Sequence, residues 1–359
     1  MDLRILDDFA GPGGWDEGVR PLGLRPLGVE LDADACATAR AAGHRRMQAD
    51  ISLQDPMMFR HIDGYLGSPP CQGFSMAGAG KARADSVHVI EALKKVETSA
   101  DVERVIAELA PTMTHEGSLL ALEPLRRVLA LRPTWMAWEQ VKEVLPLWEA
   151  CAEVLRRAGY SVATGILNAE QYGVPQTRRR AILVASLERE ARLPIPTHSR
   201  YCSHTPERLD EGVKPWVSMA EALGWDERRA VVTGQNSRQA RGVIRRFSRS
   251  ADAPAPTLTG QARSWRLRSN YGTGGDPAAR GIRTVDQPAP TLTGKAGRNA
   301  WLDPDGEDVG RLTIEQASVL QTFPRDYPWR GGRVAVFQQI GNAVPPLLAQ
   351  AIVVEVAGL

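Results

Sequence analysis

Leu3-Arg4-Ile5-Leu6-Asp7-Asp8-Phe9-Ala10-Gly11-Pro12-Gly13-Gly14 opens the chain with an apolar run, two acids and a glycine turn. Such a run predicts a strand ending in a tight loop, and helix formers follow from Trp15. The pattern then recurs. Leu27-Gly28-Val29-Glu30-Leu31-Asp32 reads as a second strand ending in acid, with a helix over 33–42 behind it. A third acid-terminated segment ends at Asp50-Ile51, and residues 62–66 lead into a fourth loop. Strands alternating with helices imply an α/β fold with a doubly wound, mostly parallel sheet. Ligands in such sheets sit beyond the carboxyl ends of the strands. The four loops are therefore expected to face one crevice.

The glycine loop invites a dinucleotide reading, but the G-x-G-x-x-G pattern that starts at Gly11 and Gly13 reaches Asp16 where its third glycine belongs. Glu30 stands where a ribose-binding acid is expected, and Asp50 is placed to accept from an adenine amino group. An adenosine cofactor without a pyrophosphate fits these residues better than a nicotinamide dinucleotide.

The fourth loop is Gly67-Ser68-Pro69-Pro70-Cys71-Gln72-Gly73-Phe74-Ser75. Two prolines fix the backbone ahead of Cys71, and Gly73 lets another surface approach it. A thiolate so presented is a candidate nucleophile. Residues 82–108, rich in charge and helix formers, read as a surface arm, and 119–131 as a packing helix. Pro133-Thr134-Trp135-Met136-Ala137-Trp138-Glu139-Gln140-Val141 is a buried strand carrying a carboxylate, which is costly to ionise there unless paired. In a strand over 176–184, Gln176, Arg178 and Arg180 share one face, directed at a substrate or at Glu139, while Arg179 faces away.

In family order, Phe9-Ala10-Gly11-Pro12-Gly13-Gly14, Pro69-Pro70-Cys71-Gln72, Glu139-Gln140-Val141, Gln176-x-Arg178-x-Arg180 and Gln339-Ile340-Gly341-Asn342-Ala343-Val344-Pro345-Pro346 resemble the motifs of DNA (cytosine-5)-methyltransferases of the bacterial and phage type. Two positions depart from that pattern: Asp8 replaces an apolar residue before Phe9, and Gln140 replaces asparagine after Glu139. The resemblance implies a Rossmann-like methyltransferase fold using S-adenosyl-L-methionine on a cytosine flipped out of duplex DNA. It implies that Cys71 attacks ring carbon 6, that Glu139 contacts N3 and the exocyclic amine, and that Arg180 contacts the base carbonyl. Arg178 and Gln176 support the same pocket. It places Phe9 at the adenine, the Gly11 and Gly13 backbone at the methionine end, Glu30 at the ribose, and Asp50 with Ile51 at the adenine edge. Asn342 and Val344 return from the C-terminus to close the pocket. An RNA cytosine-5 methyltransferase and a catalytically retired DNA-binding protein of this fold are the alternatives.

The chain has 359 residues with 44 basic and 42 acidic side chains, so a nucleic-acid signal has to be local. It is local. Residues 228–300 hold fourteen Arg or Lys against three Asp, an excess that suits a phosphate backbone. Asp252-Ala253-Pro254-Ala255-Pro256-Thr257-Leu258-Thr259-Gly260 recurs as Asp286-Gln287-Pro288-Ala289-Pro290-Thr291-Leu292-Thr293-Gly294, each copy flanked by arginines. Arg245, Arg263, Arg266 and Arg283 are the candidate DNA contacts, since arginine reads guanine bidentately. The repeat core itself is expected to shape a turn and a strand. The expected organisation is a catalytic domain over 1–190, a smaller irregular β-rich target recognition domain over 191–305, and a return segment over 306–359. Four cysteines without a CxxC pair indicate reduced thiols and a cytoplasmic protein. His198, Cys202 and His204 lack a fourth ligand at a usual spacing, so no metal is expected. No apolar run of about 20 residues suggests a membrane span. A monomer, with a cognate restriction endonuclease as a possible partner, completes the expectation.

Overall fold

The computed structural model describes residues 4–70, 82–113, 116–202, 205, 207–225, 266–268, 282–294, 296–302 and 308–359. The first half runs β1 (Ile5–Asp8), α1 (Gly14–Val19), β2 (Leu27–Glu30), α2 (Ala33–Ala41), β3 (Arg45–Gln48), β4 (Gly64–Gly67), α3 (Ala82–Leu93), α4 (Ser99–Leu109), α5 (Glu123–Leu131), β5 (Trp135–Val141), α6 (Leu145–Arg157), β6 (Ser161–Asn168), β7 (Gln176–Thr177) and β8 (Arg179–Ser186). The second half adds α7 (Met219–Leu223), β9 (Arg266–Arg268), β10 (Ile282–Thr284), β11 (Ala289–Pro290), β12 (Ala300–Leu302), β13 (Asp308–Arg311), α8 (Ile314–Leu320), α9 (Arg333–Asn342) and α10 (Pro346–Ala357).

The main sheet has the order β3-β2-β1-β4-β5-β8-β6. Neighbours from β3 to β5 are parallel, while β8 runs antiparallel to both β5 and β6. The order in which strands are added reverses between β1 and β4, the switch point where a crevice opens. Alternating side chains serve two cores, as strand geometry requires. Leu6, Tyr65, Met136, Trp138 and Leu183 pack on one face with α5 and α6. Ile5, Leu66, Trp135, Ala137 and Ile182 pack on the other with Trp15 of α1 and Leu348 and Ile352 of α10.

The charged stretch 82–108 is not a surface arm. Val89, Leu93, Val96, Val102 and Val105 enter the first core, and Thr98 and Asp101 form a reciprocal cap that starts α4. Val89 and Leu93 on α3, and Val102 and Val105 on α4, have the spacing of a helix face that the surrounding charge obscured.

A four-stranded antiparallel sheet, β10-β9-β12-β13, stands beside the main one. Its core joins Leu223, Val285, Leu292 and Trp301 to Leu312, Leu320, Phe337 and Ile340. Leu312, Leu320, Phe337 and Ile340 thus pack with this smaller sheet, Phe323 and Tyr327 form a separate cluster with Ala343, and the chain rejoins the core of the main sheet from Val344 onward. The stretch Arg333–Ala357 is, by length and composition alone, long and apolar enough to cross a membrane. It is divided between α9 and α10 at 343–345, and most of it is buried within the protein.

Candidate active site

At the carboxyl ends of β1 to β5 lies a cleft of about 1260 Å³. Its wall includes Phe9, Gly11, Glu30, Asp50, Ile51, Pro69, Pro70, Glu139, Arg178, Arg180, Asn342 and Val344. That volume exceeds an ordinary single-ligand pocket and accommodates a nucleoside together with a second ligand.

The nucleoside side is built by backbone geometry. Phe9 leaves β1 with φ 58°, a left-handed conformation that a bulky residue holds only when its surroundings dictate it. Gly11 has φ 53° and donates its N–H to Glu30 Oε2 at 2.8 Å. Glu30 Oε1 accepts from the N–H groups of Leu31 and Asp32, both at 2.8 Å. The carboxylate is fixed at the cleft wall, and Oε2, with a single N–H donor, keeps a lone pair for a ribose hydroxyl. Asp50 Oδ1 accepts from Ser52 N and Oγ, which caps the turn after β3 and holds Ile51 in place. These residues fit an adenosine cofactor.

Two glycines have structural reasons. Gly13 is set back from the cleft, with φ 111°, and a Cβ there would lie 2.7 Å from His44 and 2.9 Å from the Tyr327 hydroxyl. A Cβ on Gly14 would overlap the carbonyl oxygen of Val344, so the C-terminal return closes directly on the glycine loop. Tyr327 strengthens that closure by donating to Pro12 O.

On the opposite side, Glu139 projects from β5 and is almost fully buried. Its carboxylate is paired: Arg180 Nε on β8 lies 2.8 Å from Glu139 Oε1. The contact is an ion pair without aligned hydrogen-bond geometry, so Oε1 remains able to accept from a ligand. Gln140 turns back from the same strand and donates to Pro69 O, while its own oxygen accepts from Val141 N. Trp15 Nε1 donates to Ser68 Oγ at 2.9 Å. The approach to the cysteine loop is thereby tied to β5 and to α1. Cys71 itself lies outside the described residues.

The shared strand face expected for Gln176, Arg178 and Arg180 does not form. The strand breaks between Thr177 and Arg179, so alternation does not carry across it. Gln176 and Arg178 are drawn into the seam between the two sheets. Gln176 Oε1 accepts from Leu292 N at 2.9 Å, and its amide nitrogen donates to Leu320 O and Gln321 Oε1. Arg178 donates to the carbonyls of Leu292, Gly341 and Ala343 at 3.2, 2.9 and 3.1 Å. Arg180 alone reaches Glu139. Arg179 is exposed, yet it lies on the cleft wall rather than facing away from it.

The second repeat copy supplies the other half of that seam. Its Ala289–Pro290 pairs in parallel with Gln176–Thr177, and Thr291 Oγ1 donates to Thr177 O at 2.6 Å. The first copy lies outside the described residues. So do Arg245 and Arg263, together with His204 of the histidine–cysteine cluster; Arg266 opens β9. Arg283, on β10, stacks its guanidinium over Tyr201 at 5.0 Å from the ring centre, and both line the cleft with Arg200.

Glu170, which sequence reasoning passed over, also lines this cleft. Burial pushes its carboxyl up to about 7, opposed by backbone N–H groups, Arg200 and Arg179. Its signal was a carboxylate within Asn168-Ala169-Glu170-Gln171-Tyr172, between an apolar strand and a glycine turn.

The curated relatives include the Type II methyltransferase M1.HphI of Haemophilus parahaemolyticus, 28% identical over 98% of this chain and 86% of that protein. M.AplI of Arthrospira platensis, also a Type II methyltransferase, is 28% identical over 98% and 84%. A DNA modification methyltransferase from an E. coli prophage, 19% identical, shares the fold with a TM-score of 0.56 over 98% of this chain and 97% of that one. The model of the C-5 cytosine-specific DNA methylase family matches residues 3–357, and by that match the chain belongs to this family.

Proposed function

We propose that this DNA (cytosine-5)-methyltransferase draws a flipped cytosine of duplex DNA into the Glu139–Arg180 side of the cleft, opposite a bound S-adenosylmethionine. One observation carries the reading: the fixed Glu30 carboxylate and the Glu139–Arg180 pair line a single cleft. Phe9, Gly11, Glu30, Asp50, Ile51, Asn342 and Val344 would hold the cofactor, with Gly13 shaping the loop from behind. When bound, the cofactor supplies an electrophilic methyl group.

Cytosine is a poor acceptor for a nucleophile until negative charge on its ring is relieved. Glu139, held by Arg180, meets N3 and the exocyclic amine, and Arg180 meets the base carbonyl. Cys71 then adds to carbon 6, which makes carbon 5 nucleophilic. After methylation, loss of the carbon-5 proton and departure of the thiolate restore the aromatic ring. Gln176 and Arg178 act from the seam as positioning residues.

Arg245, Arg263, Arg266 and Arg283 form the proposed DNA-reading set, and Arg283 is pre-oriented by Tyr201. The reading includes a monomer in the cytoplasm, and the Type II names of the relatives support a cognate restriction endonuclease as its partner.

The test is transfer of labelled methyl from S-adenosylmethionine to unmethylated duplex DNA, followed by nucleoside analysis and bisulfite sequencing. Label in 5-methylcytosine at one short motif is expected. Cys71→Ala should abolish transfer while leaving cofactor affinity within about twofold, because the thiol touches the base alone. Transfer at the native rate by that variant would remove the covalent mechanism.

A further inference from the structure

Asp8 stands where the family pattern has an apolar residue, and it is completely buried. Its Oδ2 accepts from the Tyr65 hydroxyl at 2.9 Å and lies 3.2 Å from Arg127 Nε of α5, which is equally buried. Replacing a buried ion pair with apolar residues is often neutral or stabilising, so stability alone gives this pair little reason to exist. The far end of Arg127 supplies one. Its Nη2 donates to Ile51 O at 3.3 Å and to Gln54 Oε1 at 2.9 Å, and its guanidinium lies 5.2 Å from the centre of the Phe59 ring. Arg126, paired with Glu123, donates to the same Ile51 carbonyl at 3.2 Å.

We propose that the Asp8–Arg127 pair is a positioning device for the adenine end of the cofactor site, setting the distance between Phe9 and the Asp50–Ile51 turn. Asp8 precedes Phe9 directly, and Arg127 bridges it to the carbonyl of Ile51. The planar guanidinium serves both ends at once, which a lysine ammonium cannot do. Burial pushes the Asp8 carboxyl up to about 6, and Arg127 is the leading influence holding it down. The pair and its Ile51 contact belong to one connected network.

The inference rests on the S-adenosylmethionine reading above, so the full wild-type chain is titrated first with S-adenosylmethionine by calorimetry. No binding there would remove the cofactor reading itself. Given wild-type binding, two variants are compared for affinity and melting temperature. Arg127→Lys keeps the charge beside Asp8 but loses the bridge. Asp8→Leu combined with Arg127→Leu removes both charges and returns the apolar character of the family pattern. Arg127→Lys is expected to melt below the wild type and the double variant near it, and both, at a temperature where each is folded, to bind the cofactor about tenfold more weakly, the effect of one mispositioned hydrogen bond. Methyl transfer should show a raised KM for the cofactor with kcat retained at saturation. Wild-type affinity in the folded variants would overturn the proposal. So would recovery of affinity together with stability in the double variant, which marks a purely structural pair.

Discussion

Replacing Arg178 by methionine separates the two roles that its position allows. The family pattern sets this arginine in the substrate pocket, whereas its guanidinium makes three hydrogen bonds to the carbonyls of Leu292, Gly341 and Ala343. Methionine keeps most of the buried stem and removes the donors. A hydrogen bond to a charged group contributes roughly 1.5–3 kcal/mol net. The lower end applies here, because Ala343 O retains Gln321 Nε2 at 2.7 Å. Three such contacts give a loss of about 4.5 kcal/mol, with a fall in melting temperature of about 6 °C for a chain of 359 residues. Arg178→Lys should recover part of it, since an ammonium replaces the charge but not the fork. The assay is denaturant and thermal unfolding of both variants beside methyl transfer at a temperature where each is folded. A native melting temperature with abolished transfer would refute the reasoning and return Arg178 to the substrate pocket.

Arg180→Gln should cost far more turnover than Arg179→Gln, because Arg180 alone is paired with Glu139; equal losses in single-turnover methylation would sink that assignment. Gly14→Ala should destabilise the chain by about 1–3 kcal/mol through a clash with the Val344 carbonyl, and unchanged melting would show that the return segment gives way easily. Glu170→Gln tests the buried carboxyl by pH. A folded pKa raised to about 7 means that ionising this group costs stability, with the cost absent below the ordinary value of 4.5 and complete above 7. The glutamine variant should therefore gain roughly 3 kcal/mol on the wild type between pH 4.5 and 8 in urea titrations, and a pH-independent difference would contradict it.

Features that depend on local pattern were legible in the sequence. Alternation along β1, β4, β5 and β8 gives the two-faced core, and the glycine turn after an apolar strand gives the cleft. Asp8 shows where such reading stops. As a sequence departure it is an isolated acid in a strand, and its meaning comes from Arg127, 119 positions away. The Val89–Leu93 and Val102–Val105 spacings were readable in principle, but charge in the same stretch outweighed them. Spacing alone reports a helix, not what covers it.

The motif Gln176-x-Arg178-x-Arg180 carries the sharpest case. Period-two alternation assumes a continuous strand, and that assumption fails at Arg178, where Ala289–Pro290 of the repeat pairs with Gln176–Thr177 and main-sheet pairing resumes at Arg179. The partners that turn Gln176 and Arg178 into the seam come from residues 292, 320, 321, 341 and 343. One short motif thus divides between two tasks: its last arginine faces the Glu139 carboxylate, and its first two polar residues fasten the smaller sheet and the C-terminal return to the main one. A substitution in the seam should therefore reach the cleft through Val344 and the glycine loop it closes upon, without any of the exchanged atoms touching substrate.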